Sequence, residues 1–245
     1  MRRVFETMGT VASIELPAGL DAVVDEIETA LRHIDERFSL YRADSEISRI
    51  ARGELRLTEA SPRLLASYER SLEWRDATNG LFSAHRPDGI LDLNGIVKAE
   101  AIEQAGAMLD AAGGTEWTIN IGGDILVRGS AWPTGIADPA DPAVLLASLD
   151  LGGDRRALAT SGSAQRGDHI WRGAQLAPTE FVQVSVMAAD IVTADVLATA
   201  IVAGGPTVLD DIAERFPVHV LAVDRAGALV ATPGFRLALG LQPAR

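Results

Sequence analysis

From Asp190 to Val202 nearly every residue is apolar or small, in the order Asp-Ile-Val-Thr-Ala-Asp-Val-Leu-Ala-Thr-Ala-Ile-Val. A helix without a polar face has nothing to turn toward water, so the rest of the fold must enclose it. Gly204-Gly205 supplies its end. The helix carries Asp195 and Thr199, spaced i, i+4 and therefore stacked on one face. A carboxylate in such surroundings is costly unless it is paired or binds a cation. Carboxylate and hydroxyl oxygens suit Mg²⁺, with phosphates and waters completing the octahedron. A buried Asp satisfied by a helix cap or an arginine fits the same spacing, and both readings stay open here.

At 245 residues and 47% hydrophobic content, the chain can build a full core. The formal net charge of −12 argues against nonspecific nucleic-acid binding and against docking on an anionic membrane. There are no cysteines, which excludes disulfides and thiolate metal sites. Met1-Arg2-Arg3 is not followed by the apolar run of an export signal, and no stretch reaches the roughly 18 apolar residues of a membrane span. The expectation is a cytoplasmic protein without membrane insertion.

Thr10–Leu16 alternates as a strand, and Leu20, Val23, Val24, Ile27, Leu31, Ile34 and Phe38 recur at helical spacing. Asp44 or Ser45 can cap a short helix through Ile50, and Ser61-Pro62 opens a helix that Asn79-Gly80 closes. An irregular loop is expected over 81–96, followed by a helix from Lys98 to Ala112. Strands are expected at Trp117–Ile121 and Ile125–Arg128, joined by a hairpin at Gly122-Gly123-Asp124. Proline-bearing turns follow around Pro133, Pro139 and Pro142. A strand at Phe181–Met187 and a helix from Pro206 to Phe216 precede a hairpin of Val218–Val223 with Ala228–Thr232. Helices and antiparallel hairpins without regular strand–helix alternation predict an α+β fold, organised as one unit over residues 1–245.

Of the 22 basic residues, 21 are arginine and one is lysine, Lys98. It closes Asp92-Leu93-Asn94-Gly95-Ile96-Val97-Lys98, where a helix amino terminus can favour an anion. A phosphate-binding loop and a plain acidic turn fit that segment equally, and composition bias alone could leave a single lysine. Residues 173–214 hold six Asp or Glu and no Lys or Arg, which fits a solvated face or the surroundings of a cation. His33 and His219 fall in regular elements and read as structural. His85 and His169 lie in irregular stretches, where a titrating group is of more use.

Taken together, these segments resemble the ApbE family of FAD:protein FMN transferases. The matching segments run in order: Met8-Gly9-Thr10; Phe38 to Ser48; Asn79-Gly80-Leu81-Phe82-Ser83; Asp92 to Lys98; Asn120 to Ile125; Thr160-Ser161-Gly162; His169-Ile170; and Ala194-Asp195 through Thr199. The resemblance implies an Mg²⁺-dependent enzyme that splits FAD, joins FMN to a threonine hydroxyl of an acceptor protein and releases AMP. By the same resemblance, Met8, Tyr41, Leu81, Phe82 and Ser83 would line the flavin or adenosine portions of FAD. Asp92, Lys98 and Ile170 would also contact the dinucleotide. The Gly95 carbonyl, Asp195 and Thr199 would hold Mg²⁺, and His169 would act as general base. The chain departs from the family pattern at Ser83, at Ala99 and after His169-Ile170, where Trp171-Arg172-Gly173 follows. Two other readings use the same residues: an Mg²⁺-dependent FAD pyrophosphatase giving FMN and AMP, and a non-catalytic flavin-binding protein.

Overall fold

Exposed and covered residues alternate along Arg2–Thr7 (β1) and Thr10–Glu15 (β2), so each strand offers one face to a core. The computed structural model describes residues 1–162 and 179–241. It divides into two compact units, Met1–Gly122 and Gly123–Arg245. Helices mix with antiparallel strands in both, the α+β class that the sequence predicts. No helix among the described residues is long and apolar enough to cross a membrane.

In the first unit, β2 pairs antiparallel with β1 and with Trp117–Ile121 (β3), so that Ala12 faces Phe5 on one side and Ile121 on the other. Helix Asp21–Phe38 (α1) buries Val24, Ile27, Leu31, Ile34 and Phe38, the apolar stripe legible in its spacing. It packs against Asn94–Ala111 (α4), which also covers β3. Buried Trp117 keeps its indole N–H satisfied by donating to Asp110 Oδ1 at 2.9 Å. Between α1 and α4 come the short helix Glu46–Ala51 (α2) and Pro62–Ala77 (α3), capped by Ser45 and Ser61 respectively.

A carboxylate joins α3 to α4. Glu100 is 3% exposed; it accepts from Ser67 Oγ at 2.6 Å and from Arg63 at 3.2 Å, and Arg70 lies at 3.7 Å. Arg70 reaches on to Glu103 at 2.6 Å. A buried charge is tolerated in such a setting because donors surround it.

The second unit holds strands Asp124–Arg128 (β4), Ala157–Gly162 (β7), Phe181–Ala188 (β8), His219–Asp224 (β9) and Leu229–Ala231 (β10), antiparallel in that order. A separate hairpin pairs Trp132–Ala137 (β5) with Leu145–Leu151 (β6). Strand registers align Leu158 with Met187, and with Leu221 these face a cluster completed by Ile136, Leu149, Leu151 and Phe235. Phe235 belongs to Pro233–Ala238 (α7). Helix Ile191–Gly204 (α5) packs on β7 and β8 and, as its composition requires, is buried along most of its length. Asp190 caps it, accepting the Thr193 N–H at 2.8 Å, and Gly205 ends it at φ 75°. Helix Pro206–Arg215 (α6) follows.

Several elements depart from the sequence expectation. Helix α4 starts at Asn94 rather than Lys98, because Asp92 Oδ1 accepts the Asn94 N–H at 3.0 Å and Leu93, Ile96 and Val97 are drawn into the core. Strands β1, β5, β6 and β7 and helix α7 go beyond the predicted set. Pro133 lies inside β5, in a two-stranded hairpin where a missing N–H can face away from the partner.

Replacing Glu100 by Ala should lower stability by about 2–3 kcal/mol, below a fully enclosed ion pair because both arginines keep solvent access. Denaturant unfolding of the variant reads this out, and an unchanged midpoint would show that the cluster contributes nothing.

Burial, together with the Arg155 guanidinium, holds His219 below the ordinary histidine pKa, against an opposing backbone hydrogen bond at Val218. The folded state thus favours neutral imidazole. That contribution is complete above the ordinary value of about 6.5 and is lost as pH falls through the lower folded value. His219→Gln should therefore flatten the loss of thermal stability between about pH 7 and pH 5. Parallel melting profiles for variant and wild type would contradict this.

Candidate functional site

In the first unit, the site residues collect at the amino end of α4. Thr78, at the end of α3 and 3% exposed, donates its hydroxyl to the Trp74 carbonyl at 2.7 Å and accepts the Phe82 N–H at 3.1 Å. This fixes Phe82 as the chain leaves the turn at Asn79 and Gly80, both in the left-handed region. Phe82 is itself 3% exposed, and its ring would stand 3.2 Å from a Cβ at Gly95. The ring thus lies against the first turn of α4, where a side chain in place of Gly95 would have to shift the Phe82 ring by a few tenths of an ångström.

Leu81 is half-buried and Ser83 exposed, and the Ser83 hydroxyl accepts the His85 N–H at 3.1 Å. The Ala84 carbonyl accepts the Asp92 N–H at 2.8 Å, which ties the two predicted segments together. Asp92 is half-buried and one of its oxygens caps Asn94. Gly95 is exposed and Lys98 half-buried in the same helical start. The Asn94 N–H goes to Asp92 and those of Ile96 and Val97 to the Leu93 carbonyl, so this helix start offers a phosphate oxygen chiefly its positive dipole, with Lys98 in its second turn.

Met8 and Tyr41 sit on separate supports within this unit. Met8 and Gly9 turn β1 into β2 with φ of 47° and 69°, the left-handed pair of a type I′ turn, and Met8 is half-buried there. Left-handed geometry is unusual for a side chain of this size. Tyr41 is 97% exposed. Its loop is pinned from behind: Ser45 Oγ donates to the Ser39 carbonyl at 2.7 Å, Ser48 Oγ to the same carbonyl at 3.3 Å, and Glu46 accepts from Ser61 Oγ at 2.7 Å. The polar residues between Phe38 and Ser48 thus build the loop, and the ring of Tyr41 is left open to a ligand.

In the second unit, Asp195 is 4% exposed and Thr199, one turn on, is half-buried. Both lie on the helix that β7 and β8 enclose, and the Thr199 hydroxyl is 3.0 Å from Ser161 Oγ. Asp124 is fully buried, and its Oδ1 accepts the Thr160 N–H at 3.2 Å. A carboxylate and a hydroxyl on one helix face are hard oxygen donors of the kind a divalent cation such as Mg²⁺ takes. Among the described residues no group of three or more His, Cys, Asp or Glu could hold a metal, so a cation here would need oxygens from a ligand or from water. The donor set fits that use.

Gly95 lies in the first unit, and Asp195 and Thr199 in the second. His169 and Ile170 lie outside the described residues. Sequence reasoning does not single out Ser161 or Asp124 as site residues. The signal for Ser161 is the period of two along β7, which turns Ser161 to the α5 side of the sheet and Thr160, bonded to Ser185 at 2.9 Å, to the other.

A family model described as the ApbE family matches residues 8–86 and 83–223. Among solved structures, the chain is similar to the flavin transferase ApbE from Vibrio cholerae, with 21% identity, a TM-score of 0.81 and coverage of 98% of this chain and 99% of that one. It is similar to the ApbE protein of Thermotoga maritima at 18% identity, TM-score 0.81 and the same coverages. The apo form of the Pseudomonas stutzeri flavinyl transferase ApbE gives 18% identity and a TM-score of 0.76, over 98% of this chain and 97% of that one. At these identities the likeness is one of fold. No curated protein sequence matches the chain. The family match takes in both units and runs from the Met8 turn through the helix bearing Asp195 and Thr199, so the chain belongs to the ApbE family.

Proposed function

We propose that the protein transfers FMN from FAD to a threonine hydroxyl of an acceptor protein, with Mg²⁺ bound and AMP released. The observation that carries this reading is the family match over residues 8–223, in a chain whose buried α5 bears a carboxylate and a hydroxyl one turn apart. The relatives from V. cholerae and P. stutzeri are flavin transferases by name.

In the proposed reaction, the threonine oxygen forms a bond to the FMN phosphorus while the bridging P–O bond to AMP breaks. AMP leaves with that electron pair, and the threonine proton passes to a base, for which His169 is the proposed residue. Asp195 and Thr199 would hold Mg²⁺, with the Gly95 carbonyl as the further ligand that the family resemblance implies. The ion would supply charge neutralisation on the pyrophosphate. Lys98 and the amino end of α4 would hold phosphate oxygens, using a compact ammonium and the positive end of the helix dipole. Asp92 would set the start of that helix and contact the dinucleotide. Tyr41, Met8, Leu81, Phe82 and Ser83 would orient the flavin or adenosine portions, and Ile170 would add an apolar contact.

Incubation with FAD, Mg²⁺ and threonine-bearing peptides should yield a peptide heavier by FMN together with AMP, both read by mass spectrometry. AMP and free FMN without peptide modification would make water the acceptor, and FAD left intact would overturn the proposal. Asp195→Ala should reduce turnover at least about 100-fold. His169→Ala should reduce transfer by about 100-fold or more while FAD still binds. Undiminished rates would remove the corresponding assignment.

A further inference from the structure

Thr199 carries a hydrogen as well as lone pairs, and a hydroxyl that gives a lone pair to a cation must send its hydrogen elsewhere. Ser161 Oγ stands 3.0 Å from the Thr199 hydroxyl, at a distance where either can donate to the other, and so can take that hydrogen. Ser161 is well placed to hold that position. Its strand is paired on one side with β8, where Ser161 faces Val184, and the neighbouring Thr160 N–H is held by Asp124 Oδ1 at 3.2 Å. On the other side of Ser161, a Cβ at Gly162 would stand 2.4 Å from the Val182 carbonyl oxygen, so the backbones of β7 and β8 approach closely there. The Ser161 side chain therefore projects toward α5 from a backbone fixed at both of its neighbours.

We infer that Ser161 is a positioning residue for the cation: it accepts the Thr199 hydroxyl hydrogen and so leaves the Thr199 oxygen's lone pairs for the metal. The inference rests on the reading of Asp195 and Thr199 as cation ligands. Groups that orient a metal's ligands influence affinity strongly although they never touch the ion. Ser161 thereby differs from Thr160, whose hydroxyl lies on the opposite side of the sheet with Ser185.

The test is a titration of the full-length protein with Mn²⁺ at saturating FAD, read by the electron paramagnetic resonance signal of free Mn²⁺. Ser161→Ala should weaken Mn²⁺ binding by roughly 10- to 100-fold. Ser161→Thr keeps the hydroxyl and should bind Mn²⁺ as the wild type does, and FAD affinity without metal should be the same in all three proteins. If Asp195→Ala loses Mn²⁺ while Ser161→Ala retains wild-type affinity, the inference falls and the cation reading stands. If the wild type takes up no Mn²⁺, or Asp195→Ala takes it up equally well, both fall. Weakened binding in Ser161→Ala that Ser161→Thr does not restore would also overturn the inference, since the hydroxyl would then not be the cause.

Discussion

The second unit depends on enclosing α5. A helix with no polar face has to be covered, and β7 and β8 cover it, with β8 buried along nearly its whole length. Once enclosed, the helix places Asp195 where water has little access and every polar neighbour counts, with Thr199 half-buried one turn on. The same burial that holds the fold together makes a carboxylate there expensive without a compensating charge or donor. Stability and the proposed chemistry therefore share one element, and changes that loosen the packing of α5 on the sheet should disturb both.

The first unit solves a different problem, that of holding the start of a helix in place. Two ties join α3 and the turn after it to α4. Glu100 gathers Ser67, Arg63 and Arg70 around one buried carboxylate, while Thr78 fixes Phe82, whose ring lies against Gly95. Lys98 lies between these ties, on the stretch from Gly95 to Glu100. Its ammonium is carried by a flexible stem, but the helix that presents it is anchored on both sides. Phe82 belongs to both sets, since its ring anchors α4 and it is among the residues proposed to meet the dinucleotide, whereas Glu100, Ser67, Arg63, Arg70 and Thr78 anchor only.

Much of this is legible in the sequence where one physical signal dominates. The apolar run of α5, the stripe of α1 and the capping residues Ser45 and Ser61 identify elements that the structure contains. Strand β7 is harder to see, because Ala157 to Gly162 is built of small residues whose strand character comes from pairing with β4 and β8. The hairpin of β5 and β6 is hidden by Pro133, which reads as a turn unless the strand's edge position is known. The early start of α4 escapes a sequence reading because Asp92, which accepts the Asn94 N–H, lies within an apparent loop. The Glu100 cluster and the Ser161–Thr199 contact join residues 30 to 38 positions apart, which no local pattern discloses.

The central claim is that the Asp195 and Thr199 oxygens hold the cation that acts on FAD. A crystal structure of the protein soaked with FAD and Mn²⁺, with data collected at the manganese absorption edge, tests it most directly. An anomalous peak within coordination distance of the Asp195 carboxylate and the Thr199 hydroxyl, beside the FAD phosphates, is the expected result. Bound FAD with the manganese peak elsewhere would contradict it.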